Sequence, residues 1–151
     1  MCSSDLNDEA ADTPNGATFL VSAGKLGVVS TNALNGVGVS FAAGTALLVD
    51  PLPADADLRD YGAVNTKSGV PFASAQGGAI PVVFLDRQFP DTAVSVVICT
   101  VSQTAAETLQ FDVPGTVKRR KCTVTTRSNP DGTVSYVANF SAKAGFILSV
   151  Y

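Results

Sequence analysis

The chain contains no histidine and no tryptophan, and it has a single methionine. Without histidine, Ser-His-Asp and Cys-His catalysis is excluded, together with nearly all catalytic zinc sites and haem sites. The alternative is a small hydrolase that uses a pair of carboxylates, as glycosidases do, and the chain has 13 acids. Most of these acids lie in the first residues or beside turns, where carboxylates are usually solvated. We therefore expect a protein that is not an enzyme and that uses no cofactor and no metal.

Cysteine is also scarce, and its three positions show neither CxxC nor another metal-like spacing: Cys2, Cys99 and Cys122. Cys99 and Cys122 both fall in strand-like runs. They would form a disulfide if those strands are neighbours; otherwise they are two separate buried thiols, which the sequence favours.

Charged residues make up only 15% of the chain, against roughly 25% in typical soluble domains. No apolar run approaches the ~18 residues of a membrane-spanning helix, so we expect no membrane insertion. Surfaces that are permanently buried between subunits are depleted of charge. The low charge content therefore predicts a homo-oligomer.

The acidity of the chain belongs to its start, because residues 1–12 carry four acids and no base. The rest of the chain has 10 bases and 9 acids, which argues against a nucleic-acid partner. Residues 1–15 show no hydrophobic periodicity and predict a flexible leader. Its first six residues resemble read-through of a sequencing adapter, so we expect that part of this leader is artefactual.

The composition favours β-strands over helices. Valine occurs 20 times and threonine 14 times, whereas glutamate occurs twice. Branched side chains fit a pleated sheet and lose rotamer freedom in a helix. The 13 glycines and 8 prolines are spread along the chain, as is typical of many short strands joined by turns.

Short apolar runs separated by turn residues predict the positions of the strands. An antiparallel meander is expected over 17–50, with a hairpin-type turn at Asn35-Gly36, and an irregular region over 51–79. Val94–Ser102 is expected to be a central strand buried on both faces, and Phe146–Tyr151 to be the last strand. Residues 16–151 thus predict one all-β domain, an antiparallel β-sandwich resembling a jelly roll.

Half of the basic residues lie within ten positions of one another, between Lys118 and Arg127. Successive side chains of a strand point to opposite faces, so part of this run must lie on an exposed loop or edge. Lysine on an edge strand prevents sheet aggregation; the alternatives are an anionic ligand, such as phosphate or acidic sugar, or an inter-subunit salt bridge. With the strong turn at 129–132, the candidate ligand-binding residues are Lys118, Arg119, Arg120, Lys121, Arg127, Asn129 and Asp131.

Four aspartates, Asp50, Asp55, Asp57 and Asp60, stand close together in the irregular region. Oxygen ligands at such spacing can hold calcium. The stretch lacks the glycine and final glutamate of an EF-hand, and Arg59 lies within it. A solvated loop that caps a short helix is the preferred interpretation.

The segment from Ala79 to Tyr151 resembles the C-terminal β-sandwich of phage tail fibres and, more distantly, H-type lectins. The resemblance rests on 80–84, Phe89-Pro90, 94–97 and the aromatic end of the chain. It implies a homotrimer on a virion, where a fibre tip or receptor-binding domain contacts host-surface glycan or protein. The alternative is a capsid decoration or cement protein, which contacts only other virion proteins.

Overall fold

A computed structural model describes residues 18–66 and 71–143 of the chain. Twelve strands account for most of the regular structure. Two short α-helices and one 3-10 helix (Thr31–Leu34) lie between them. The α-helices are α1 (Ala56–Tyr61) and α2 (Gln103–Ala106), and the strands are β1 (Thr18–Val21), β2 (Lys25–Gly27), β3 (Gly38–Phe41), β4 (Ala46–Val49), β5 (Ala63–Asn65), β6 (Phe72–Ser74), β7 (Ile80–Phe84), β8 (Val94–Ser102), β9 (Phe111–Asp112), β10 (Thr116–Val117), β11 (Arg120–Ser128) and β12 (Thr133–Phe140).

The strands form three sheets. Sheet A has the order β1-β3-β6, and sheet B has the order β2-β4-β7-β9. Every pairing in these two sheets is parallel. Sheet C, in the order β10-β11-β12-β8-β5, is mixed: β5 pairs with β8 in parallel, and the other pairings are antiparallel.

The chain visits the three sheets in turn. It runs through β1 and β2 to the 3-10 helix, then through β3, β4 and β5, and then through β6, β7 and β8. The 3-10 helix lies beside β5, where the Asn65 side chain donates to the carbonyl of Val37 (2.9 Å). Hydrogen-bonded strands of sheets A and B are therefore joined by long crossovers, as parallel pairing requires.

The expected antiparallel, jelly-roll-like sandwich is wrong. The protein is mostly β, with two parallel sheets, one mixed sheet and short helices, and its parallel crossovers are of the kind found in α/β proteins. The predicted meander places strands near the right positions, but β1 pairs with β3 rather than with β2. Asn35-Gly36 forms no hairpin, because it leads from the 3-10 helix into β3. Residues 51–79 contain α1, β5 and β6.

One hydrophobic core is shared by all three sheets. A series of aromatic rings crosses it: Phe72 of sheet A lies 6.5 Å from Phe111 of sheet B, which lies 5.2 Å from Tyr136 of sheet C. The Tyr136 hydroxyl donates to the carbonyl of Leu109 (2.8 Å), so its polar end is satisfied within the core. Burial of the Tyr136 phenol raises its pKa.

In the C-terminal half, the structure agrees more closely with the predictions from the sequence. The prediction of a central strand at Val94–Ser102 is confirmed, since β8 has buried residues on both faces. The turn at 129–132 is confirmed as the connection between β11 and β12. Cys99 and Cys122 are both buried and unbonded, and burial raises the pKa of each thiol. The strand expected at Phe146–Tyr151 and the leader at 1–15 lie outside the described residues.

Across 18–66 and 71–143, no helix is both long enough and apolar enough to cross a membrane.

Helix α1 packs against β8. Gly62 ends this helix with a φ of 57°. A Cβ added there would lie 2.6 Å from the carbonyl carbon of Ile98 and closer still to two carbonyl oxygens. The pairing of β8 with β12 is irregular at the same place: Tyr136 pairs with Cys99 and Val137 pairs with Val97, so the register shifts at Ile98.

We expect Gly62→Ala to lower the free energy of unfolding by about 3 kcal/mol, because it adds a backbone clash to an unfavourable φ. Urea denaturation followed by circular dichroism measures this loss. Gly44→Ala is the control, because Gly44 has a φ of 78° and no atom within 4 Å of an added Cβ. It should cost only about 1 kcal/mol. Equal losses in the two variants would show that the contact with β8 is unimportant.

Candidate functional site

The basic run at 118–121 is divided between a turn and a strand. Val117 pairs with Arg120, so Lys118 and Arg119 form the two-residue turn between β10 and β11. Both residues have a positive φ, 48° and 64°. Such hairpin turns favour asparagine and glycine, and longer side chains are strained there. The turn thus holds two cationic side chains in a conformation that is unfavourable for their backbone.

Arg120 is buried, with 3% of its surface exposed. Its Nη1 donates to the carbonyls of Thr92 (2.9 Å) and Ser141 (2.9 Å), and its Nη2 donates to the carbonyl of Pro90. The guanidinium also lies over the ring of Phe89, 5.2 Å from its centroid. Arg120 therefore ties the loop before β8 and the end of β12 to the basic turn. No carboxylate in the described part of the chain neutralises its charge.

A groove of about 320 Å³ lies beside this turn; we call it the basic groove. Lys118 pairs with Asp86, and Lys143 lies 3.9 Å from Asp91. All four side chains of these pairs are substantially exposed, and exposed ion pairs contribute little free energy. The groove is lined by Gln88, Phe89, Asp91, Lys118, Arg119, Arg120 and Lys143.

The charges around the basic groove do not balance. Four cationic side chains line it, whereas Asp91 lines it and Asp86 lies beside it. Arg119 makes no ion pair and no side-chain hydrogen bond with the residues that the structure describes. The excess positive charge and the unengaged guanidinium suit an anionic group, since arginine binds carboxylates and phosphates through two parallel hydrogen bonds.

The other predicted ligand residues do not join this groove. Arg127 lies near the opposite end of β11, about 24 Å from Arg120 by the rise of a strand, and Asn129 and Asp131 follow in the turn. Lys121 is exposed on β11 and does not line the groove. The candidate ligand residues were predicted as one group, and the structure divides them between the groove and a separate turn.

The side chains of Arg127, Asn129 and Asp131 all make hydrogen bonds within the protein. Arg127 Nη2 donates to the carbonyl of Asp60 (3.0 Å), and Asn129 Nδ2 donates to the hydroxyls of Thr133 and Ser135 (2.9 Å each). Asp131 accepts from the hydroxyl (2.6 Å) and the amide (3.0 Å) of Thr133, and these bonds lower its pKa. These contacts hold the turn together and connect it to α1.

The sequence missed four residues of the basic groove: Gln88, Phe89, Asp91 and Lys143. Phe89 and Asp91 belong to a Phe-Pro-Asp segment that separates two strands, and this pattern indicates a turn without indicating what the turn faces. Lys143 is an isolated base near the end of the chain. Neither position carries a local signal that connects it with the basic run.

The acidic stretch has a structural role. Asp55 accepts from the amide of Asp57 (2.8 Å) and caps α1, as the capping interpretation predicts. Asp50 accepts two hydrogen bonds from Arg87, at 3.0 and 2.6 Å, and these bonds lower the pKa of the Asp50 carboxyl. Across residues 18–66 and 71–143, no cluster of three acids or cysteines is placed to hold a metal ion.

A second groove, of about 360 Å³, is mostly apolar. It lies between the β2 end and α1, with the Asp50–Arg87 pair in its wall. Val29, which is 89% exposed, and Leu85 belong to it. Among the described residues that line it, the one cation is Arg87, which is paired with Asp50, so the surface that it offers is mainly apolar.

Comparisons with protein-family models, with curated proteins and with solved structures found no match to this chain.

We expect Arg120→Gln to lower the free energy of unfolding by about 3 kcal/mol, since it removes the bonds of a buried, charged guanidinium to three carbonyls and its contact with Phe89. Arg119→Gln is the matched control, because the neighbouring arginine has no partner among the described residues; its effect should stay within about 0.5 kcal/mol. Thermal and urea denaturation measure both. Similar stabilities for the two variants would contradict the role assigned to Arg120.

Proposed function

We propose that this chain is a non-catalytic binding domain on a virion surface, a fibre tip or receptor-binding domain. It holds an anionic group of a host-surface glycan or protein in the basic groove. The observation that carries this proposal is the turn at Lys118–Arg119, where two cationic side chains are presented on a strained backbone. Strained residues tend to collect at binding sites, where the surrounding structure supports them.

Three further features support binding in this groove. Arg120 fixes the groove wall through carbonyls of two separate segments, so little ordering is required when a ligand binds. The cations exceed the acids around it. The exposed pairs of Lys118 and Lys143 are weak enough for a ligand to displace them.

The alternative is a capsid decoration or cement protein, and one observation favours it. Two large apolar side chains are exposed near the first strands: Leu20 of β1 at 54%, and Val29, two residues after β2, at 89%. Apolar surface of this kind, together with the low charge content, is typical of a chain that packs against other subunits. A homotrimer is proposed for both functions. They differ in the target of the detached protein, which is host cells for a fibre tip and assembled capsids for a decoration protein.

We expect the double variant Lys118→Met, Arg119→Met to bind acidic glycans about tenfold more weakly, because it removes two charged partners from the groove. Surface plasmon resonance against immobilised acidic polysaccharide measures this, and the binding should weaken as salt is added. Lys121→Met is the control, since Lys121 is a cation of the same run outside the groove. Equal losses in both variants would place the binding elsewhere.

A further inference from the structure

We propose that the ligand of the basic groove is a sugar that carries a carboxylate, such as a uronic or sialic acid, and not a phosphorylated group. This inference rests on the proposed function, because it names the ligand of the same groove. It depends on three features of the lining that a phosphate site does not need: a carboxylate, an aromatic ring and an amide.

Asp91 is the first of these features. Its side chain lines the groove and is 87% exposed, and its nearest cation is 3.9 Å away. An ionised carboxylate only accepts hydrogen bonds. It repels a phosphate, which carries about 1.5 to 2 negative charges at neutral pH. Sugar hydroxyls, in contrast, are donors, so Asp91 has a clear role with a sugar and opposes a phosphate.

Phe89 and Gln88 are the second and third features. The Phe89 ring contacts Phe140, at 5.0 Å between centroids, and lies against the Arg120 guanidinium, so its orientation is fixed. The half-buried ring offers apolar surface to the CH groups of a sugar, and the Gln88 amide can both donate to and accept from hydroxyls. The volume of about 320 Å³ is at the lower end of the range for small-molecule sites.

The arrangement of cations fits one carboxylate. Lys118 and Lys143 each face an aspartate, which leaves Arg119 as the exposed cation of the lining without an acidic partner in the described chain. Its planar guanidinium matches a carboxylate through two parallel hydrogen bonds. A single negative charge is therefore satisfied at Arg119, and the hydroxyls of the same sugar reach the acceptors of Asp91 and Gln88.

Asp91→Ala distinguishes the two ligand classes by the sign of its effect. Removing Asp91 should weaken binding of a carboxylated sugar about tenfold, because hydroxyl bonds to a charged acceptor are lost. The same substitution should strengthen phosphate binding, because a repelling charge is removed. Asp86→Ala is the matched control: it removes the same charge beside Lys118 without changing the lining, and it should strengthen binding of either anion slightly.

The probes are trigalacturonate, 3′-sialyllactose, their uncharged counterparts (the methyl ester and lactose) and inorganic phosphate, each titrated by calorimetry into the full chain. The inference is supported if one acidic sugar binds, its uncharged counterpart binds little, and Asp91→Ala weakens the binding of the acidic sugar. Phosphate binding that equals or exceeds sugar binding, and that strengthens in Asp91→Ala, overturns it while leaving anion binding in the basic groove intact. If none of the acidic probes binds, the proposed function itself fails.

Discussion

The burial of three sheets against one shared core is the constraint on which this fold depends. In sheets A and B, every pair of hydrogen-bonded strands is separated in sequence by a strand of another sheet. Neither sheet can therefore form as a local hairpin, and each pairing closes a long loop at an entropic cost. Burial of residues such as Phe41, Leu47 and Ile80 offsets that cost only when all three sheets are together. The antiparallel strands β10, β11 and β12 are the local exception, and they join the rest through β8.

Arg120 connects the antiparallel strands β10, β11 and β12 to the loop that precedes β8. A carboxylate partner would have fixed the side chain and cancelled its charge. The three carbonyls fix the side chain with partial charges only, so the groove remains positive while its wall becomes rigid. A lysine could not reproduce this arrangement, because its single ammonium cannot span the separated carbonyls in the geometry of a guanidinium. The rigid attachment also explains how Lys118 and Arg119 can be held at positive φ, since strained residues persist where their surroundings over-determine them.

The sequence predicts strand positions better than strand partners, and the reason is physical. The long strand Val94–Ser102 and the turn at 129–132 are defined by local patterns, and both are where they were expected. The strands β3 and β4 have four residues each and are buried on most of both faces, so they lack the alternation that would reveal their neighbours. Their partners are set by the core and not by adjacent turns. The same limit applies to the groove: the basic run is visible in the sequence, whereas Asp91 and Lys143 reach it only through tertiary structure.

The two interpretations of the basic run, edge protection and ligand binding, apply to different residues. Strand β10 pairs with β11 only at Arg120 and Lys121, so β11 beyond these residues has no other outer neighbour among the described strands. Its exposed threonines would offer a template for another sheet. Lys121 is an exposed charge at the start of this open edge, and Arg127 is one near its end; charges at such positions disfavour edge-to-edge pairing. Lys118 and Arg119 lie outside the ladder, in the turn, where charge cannot protect the edge. Edge protection therefore leaves these two cations unexplained, and an anionic ligand accounts for them.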